Sequence, residues 1–528
     1  MLYKITRYSN SVYYFLFAVG LFGAVLSPFL GFMFQVGCLV LFFVEGNYKQ
    51  RASIIFQNKA LWWFVLLPLV HLLFLLNTTN FDYALRDLRV KIPLFIFPFI
   101  VATMPAFSTK QIKNLTAFFL AGLLLASLNS FRILTFNLNQ ALIDAKLLSP
   151  FISHIRYSLF LCAGIFLIIY ANFNFKLNKK TSYTLWGLAL LFALTVLIVR
   201  SLTGYAGLLL AVVLTLYFIS KKNSKLIWFS LAVAFLLLAM SAFFLYVELK
   251  SFYNTKIFTH DSLPSATING NLYKHDLTQT FIENGNFVYL FLCEKELESQ
   301  WNKRSKQPFF GTDKGSNELR YTLMRYLTSK NLTKDSVGVW QLNSQEITDI
   351  ENGVPNYIYT QGNFLKSTVY KVIWQFDRLV HNDSPNGHSI TQRLEHWKTG
   401  IHILQNNLWA GTGLGDINDA FKIQYEIDNS PLTEANRHRA HNQWLTFFVS
   451  FGFLGGLLCV LAILIPPFLL ASFRNPLFTV LFVLFIISTI NEDTIETQAG
   501  VLYFSFFYSL IFAQKNSDGK TVSSYYNL

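Results

Sequence analysis

The chain has 528 residues, of which 53% are hydrophobic, 17% aromatic and only 14% charged. A soluble domain is nearer one-quarter charged, so an ordinary soluble enzyme, a disordered chain and a collagen-like chain are all excluded. Cys38, Cys162, Cys293 and Cys459 are too few and too scattered for a disulfide scaffold. The class is an all-α polytopic membrane protein.

The net charge of +14 is unevenly placed. Residues 248–440 hold 20 Lys plus Arg against 21 Asp plus Glu, and the rest holds 23 against 8. The excess belongs to the apolar part, and no aromatic-basic module for nucleic acid is present. No nucleic-acid partner is expected; membrane lipids are.

A helix needs about 20 mostly apolar residues to cross the hydrocarbon. Twelve spans are predicted near 11–29, 32–45, 60–77, 90–105, 114–135, 153–171, 184–200, 202–220, 226–247, 443–470, 476–490 and 497–514. The first is too long, and too poorly followed by small residues, to be a signal peptide. Lys and Arg in short loops set the direction. With the N-terminus inside, the inner segments carry Lys4 and Arg7, Lys49, Arg51 and Lys59, Lys110 and Lys113, Lys176, Lys179 and Lys180, Lys221, Lys222 and Lys225, Arg474, Lys515 and Lys520. The short outer loops hold Asp82, Asp87, Asp144, Glu492, Asp493 and Glu496 instead. Residues 1–247 then form spans one to nine, 248–440 a large outer domain, 441–514 spans ten to twelve, and 515–528 an inner tail. The outer segment is too long for a bare loop. Its aromatic and aliphatic content, as in "ENGNFVYLFLCEKELESQWNKRS", predicts a small mixed α/β domain over about 260–375.

Six cations break the charge rule at the outer face: Arg86, Arg89 and Lys91 entering span four, Arg132 ending span five, Arg156 opening span six, and Arg200 between spans seven and eight. Any one of them could snorkel or pair with Asp82 or Asp87. Six together mark a function, because ionisable groups at membrane depth are costly. Guanidinium forks bind phosphate oxygens bidentately, which suits a pyrophosphate.

Ile390, Leu394, Trp397, Ile401, Leu404 and Leu408 recur at helical spacing, so 390–408 is an amphipathic helix with Arg393 and His396 at its polar edge. It lies in the membrane interface, packs on the preceding domain, or does both. "GTGLGD" (Gly411, Gly413, Gly415, Asp416) lacks the Lys-Ser/Thr of a phosphate loop and follows a helix, so backbone flexibility near a substrate explains it better. Arg437, His438, Arg439 and His441 precede span ten, and His441 can serve as a base near neutral pH. "NEDTIE" reads as a solvated acidic loop rather than a cation site.

His441-Asn442, nine residues, then Gly452-Phe-Leu-Gly455 resembles the H-N-x9-G-x-x-G signature of the bacterial O-antigen ligase family, within the O-antigen ligase/polymerase superfamily. "QRLEHW", "AGTGLGD" and "RAHNQWL" are similar to it too, while 250–375 looks like an insertion that only some members carry. The resemblance implies a GT-C-like fold and transfer of a glycan from undecaprenyl pyrophosphate to an acceptor hydroxyl outside the bacterial inner membrane. It implies the lipid A core as acceptor for ligases. By motif, the family's functional histidine falls on His441 and its loop-helix arginine on Arg393. A further arginine opens the span after the seventh; here "VRSLTGYAG" puts Leu202 at that position with Arg200 two residues earlier, and Arg200 is the candidate. Arg86, Arg89, Arg156, Asn442, Arg439, Gly413 and Gly415 are expected around the substrates.

The chemistry agrees with that implication. A lipid pyrophosphate is already a good leaving group, so arginines can hold the departing charge and a histidine can take the acceptor proton. No H-E-x-x-H, paired Cys or outer Asp-x-Asp is present, so neither metal nor cofactor is expected. An O-antigen polymerase and a protein O-oligosaccharyltransferase would use the same residues on another acceptor. A lipid-linked glycan transporter is the competing class. It is disfavoured because the charges gather at one face rather than the midplane, and no inverted repeat is evident.

Overall fold

A computed structural model describes residues 2–220, 224–381 and 383–513, with the side chains of Lys4, Arg7 and Lys225 also outside the description. Lys221, Lys222, Lys515, Lys520 and the tail 515–528, used above for direction, lie outside the described residues.

Helix covers each of the twelve predicted apolar stretches, from Leu2–Gly23 to Gln498–Tyr503. Among the described residues, six helices are long and apolar enough to cross a membrane: Pro28–Glu45, Thr109–Phe136, His154–Asn174, Lys179–Val199, Ile227–Tyr253 and Gln443–Leu469. A seventh counts if Tyr48–Gln57 and Lys59–Leu73, bent by 99°, are one span. This is a multi-pass membrane protein.

The chain divides into two compact units. The larger holds 1–132, 148–232 and 378–528, and the smaller 133–147 and 233–377. In the smaller unit, Leu297, Trp301, Phe309, Leu323, Leu327, Val339 and Ile350 form the core between short helices. Its named sheet is a single hairpin, Ile282–Glu283 against Asn286–Phe287, far less than the mixed α/β domain expected. The turn residues Asn284 (φ 48°) and Gly285 (φ 77°) fit an Asn-Gly hairpin, after which "FVYLFL" is spent on irregular chain covering the core. Buried Glu283 ties the hairpin to Arg325 (2.7 Å), Asn356 (2.7 Å) and Tyr370 (2.8 Å).

In the larger unit the glycine-rich loop turns out to be a backbone staple. Gly411 lies across helix Gln443–Leu469 where Gly452 (φ 63°, ψ −173°) interrupts it. Thr412 and Gly413 N–H donate to Val449 and Ser450 carbonyls at 2.9 Å, and Phe453 N–H donates to Leu408 O. On the other side Asp416 accepts from Thr79 N (2.7 Å) and Asn80 N (2.8 Å). A Cβ at Gly413 would stand 2.0 Å from Asn77 O, and one at Gly415 2.2 Å from Asn80 O. Close backbone approach, rather than flexibility, requires these glycines. Because of the kink, and because His441 lies outside the helix at φ 47°, Gly452 and His441 do not share one continuous helical face.

Gly452→Ala tests the staple. The new Cβ would meet Trp409 O at 2.4 Å in a conformation L-residues rarely adopt. Strain of that kind costs about 1–3 kcal/mol before the clash is counted. Lower thermal stability of the purified protein and lower yield in the membrane are expected, whereas Gly187→Ala, with open space around it, should change neither.

Candidate functional site

Five elements of the larger unit converge at one site. Helix Phe81–Thr103, capped by Asn80, brings Asp87 and Lys91. Helix His154–Asn174 brings Arg156 in its first turn. Helix Ser389–Asn406 brings Arg393 and His396. The segment before helix Gln443–Leu469 brings His438, Arg439 and His441. The chain after helix Pro476–Asn491 brings Glu492, Asp493 and Glu496.

Helix Ser389–Asn406 buries Thr391, His396, Thr399, Gly400 and Ile403, while Ile401 and Leu408 of the apolar stripe are exposed. His396, expected at a polar edge, is thus 2% exposed. The packed face follows small residues: Gly400 lets Phe421 and Leu445 approach.

The acidic segment read as solvated is instead the centre of the site. Glu496 is held by Lys91 at 2.7 Å, and Lys91, 1% exposed, also bonds Asp87 at 2.8 Å. Gln443 Nε2 donates to Glu496 at 2.9 Å, and Arg439 reaches it at 3.5 Å. Burial alone would raise the Glu496 pKa, but Lys91 and Arg439 hold it below the carboxylate range. Thr446 donates to Asp493 at 2.6 Å. Glu492 meets Arg393 at 3.2 Å, Arg156 at 3.6 Å and His441 Nδ1 at 3.9 Å. The sequence could not show this, because a carboxylate between two spans looks solvated until the arginines of other helices are placed around it. Burying charges requires such partners.

Arg156, Arg437, His438, Arg439, His441, Glu492 and Asp493 line a cavity of about 600 Å³. The Nε atoms of Arg156 and Arg393 are buried without a hydrogen-bond partner. His441 adopts left-handed backbone just before Asn442. The Asn442 carbonyl Oδ1 accepts from Trp444 N and Leu445 N at 3.1 Å, so it starts the helix and leaves the imidazole free to turn to the cavity. Burial lowers the His441 pKa; Glu492 and Asp493 oppose that, and Arg393 and His438 add to it. The His396 ring lies 5.5 Å from that of His441. Burial lowers the His396 pKa to about 4, and Asn436 O accepts from its Nε2 at 3.0 Å.

The structure therefore brings together Arg393, Arg156, Arg439 and His441 of the expected residues. It does not bring Arg86 and Arg89: both are exposed, and Arg86 donates to Asp82 O of its own helix. The partner-bearing cation of that helix is Lys91, one residue group further in. Arg200 caps helix Lys179–Val199 in a left-handed conformation. It is at the same end as Arg156, since Gly204 packs on Ser158, but it is absent from the cavity lining among the described residues. Leu202 is 43% exposed. Gly413 and Gly415 serve the staple, not the cavity wall.

Residues 353–461 match the family model described as O-antigen ligase. That segment is similar to the O-antigen ligase family. The matched segment holds Arg393, Arg439, His441 and the Gly452 kink, whereas Arg156, Glu492 and Glu496 lie outside it. No curated protein matches the chain. The match covers residues 353–461 of the 528 and is a likeness of that segment to O-antigen ligases.

Proposed function

We propose that this protein is a member of the O-antigen ligase family and moves a glycan from an undecaprenyl-pyrophosphate donor to an acceptor hydroxyl at the periplasmic face of the bacterial inner membrane. The acceptor is the lipid A core, and no metal takes part. The observation that carries this reading is the convergence of Arg156, Arg393 and His441 on Glu492, in the wall of a cavity that Arg156 and His441 also line, with the Nε atoms of Arg156 and Arg393 still unpartnered. A diphosphate supplies the acceptors those atoms lack.

In the proposed reaction His441 Nε2 takes the proton of the acceptor hydroxyl. The acceptor oxygen forms its bond to the donor's anomeric carbon as the bond from that carbon to the pyrophosphate oxygen breaks. The electron pair leaves on undecaprenyl pyrophosphate, where Arg156 and Arg393 hold the charge. Guanidiniums are suited to this because they stay protonated and need no reorganisation as charge develops. A buried, neutral imidazole is the form a base requires.

The topology belongs to the same proposal: twelve spans in a GT-C-like arrangement, both termini cytoplasmic, and 248–440 periplasmic. The test is the purified protein in lipid nanodiscs with undecaprenyl-pyrophosphate-linked glycan and lipid A core. Glycan joined to lipid A core is expected, with the rate unchanged by EDTA. Longer glycan on the lipid carrier would assign polymerisation instead, and transfer abolished by EDTA would overturn the metal-free chemistry.

A further inference from the structure

Each cation of the ion-paired cluster already has a carboxylate partner without a ligand. Lys91, Arg156, Arg393 and Arg439 stand against Asp87, Glu492, Asp493 and Glu496, with the neighbouring histidines neutral where burial acts on them. A pyrophosphate entering this cluster adds negative charge, so one carboxylate must give up its arginines. The distances say which. Glu496 and Asp493 are held at 2.7 Å by Lys91 and 2.6 Å by Thr446, the lengths of strong charge-assisted bonds. Glu492 meets its three partners at 3.2, 3.6 and 3.9 Å and lines the cavity. Among the described residues of the cluster it is the carboxylate that bridges Arg156 and Arg393, and none of its ion-pair contacts is shorter than 3.2 Å.

We propose that Glu492 is a displaceable counter-ion. It occupies the place of the donor's diphosphate on Arg156 and Arg393, yields it when the donor binds, and moves onto His441 Nδ1. The hand-over ties base strength to donor occupancy. Freed from the arginines, the carboxylate stabilises the imidazolium that forms when His441 Nε2 takes the acceptor proton. The site is thereby armed only when a leaving group is present. Glu492 is a positioning residue, acting through Arg156, Arg393 and His441. The groups facing His441 are Glu492 and Asp493 from the acidic segment, Arg393 and His396 from helix Ser389–Asn406, Arg156 from helix His154–Asn174, and His438 from its own segment.

The inference rests on the proposed function, and Glu492→Gln tests it with readouts of opposite sign. Removing the competing charge should tighten binding of undecaprenyl pyrophosphate, measured without acceptor, by about tenfold. The same change should lower kcat about tenfold and move the acid limb of its pH profile to lower pH, because the carboxylate raises the His441 pKa. Glu492→Asp, which keeps the charge but withdraws it from the arginines, should bind undecaprenyl pyrophosphate more tightly than wild type while keeping more of the rate than Gln. Unchanged or weaker binding in either variant overturns the proposal, and weaker binding would mark Glu492 as part of the donor's own cradle. In the unaltered protein, histidine NMR titration should show the His441 pKa rising when undecaprenyl pyrophosphate is added; a fall overturns the hand-over even if neither variant folds. Binding without acceptor keeps the tests separate. Transfer persisting in His441→Ala would remove the base role and leave the counter-ion result standing or falling by itself.

Discussion

His441→Ala is expected to insert and fold as the unaltered protein does while losing about 10²–10⁴-fold in glycan transfer, the range for a missing general base. The fold should survive because the helix start belongs to Asn442, whose Oδ1 caps Trp444 and Leu445, and not to His441. Left-handed backbone at position 441 is the one structural objection, since Ala adopts it less readily than Asn. His441→Asn removes that objection and should lose as much transfer as Ala. His438→Ala should be milder, because its ring is 5.8 Å from that of His441 and has no bond to Glu492. The pH profile gives an independent reading. A base acts in its neutral form, which is lost as pH falls through its pKa. Burial lowers the His441 pKa below its ordinary 6.5 in the free protein, so wild-type kcat/KM, which reports the free protein, should hold its value below that pH before the acid limb begins. A full rate in His441→Ala at matched expression would make the histidine structural.

Arg393→Lys should lower transfer at least about tenfold, the scale of one lost charge-assisted contact. The guanidinium fork serves Glu492 on one side and leaves its buried Nε for a second acceptor, whereas an ammonium is a single point of charge. Arg156→Lys should behave alike, because Arg156 reaches the other oxygen of the same carboxylate. The loss should appear in KM for the donor as well as in kcat, since both guanidiniums hold the leaving group before and after bond cleavage. Arg86→Ala and Arg89→Ala should stay near wild-type transfer, as their side chains are exposed on the helix surface. Equal losses at Arg86 and Arg393 would mean that the donor lies elsewhere.

Much of the fold was legible because a hydrocarbon solvent writes itself into composition. Apolar runs marked the helices, and the asparagines before several of them supplied the caps at Asn58, Asn80, Asn178, Asn442 and Asn475. The Asn284-Gly285 turn marks the insertion's hairpin, and the aromatic and aliphatic content from which an α/β domain was expected does not say how little sheet surrounds it. His441 and Arg393 were found by motif, and Arg156 by being a cation where lipid disfavours one. Glu492, Asp493 and Glu496 were misread, because a carboxylate's surroundings depend on residues up to hundreds of positions away, here Lys91 and Arg156. Lys91 and Arg89 are alike in sequence and differ only in the face of the helix they occupy, one buried and one exposed.

The sequence by itself determined the apolar class, the positions of the helices and the histidine motif, since each depends on the composition or spacing of nearby residues. Tertiary structure alone decided which charges meet. Ion pairing needs contact within a few ångströms, and only packing brings helix Phe81–Thr103, helix Ser389–Asn406 and the Glu492–Glu496 segment to that range. The same packing decided the glycines: Gly411, Gly413 and Gly452 look like flexible residues in the chain and become close backbone crossings in the fold.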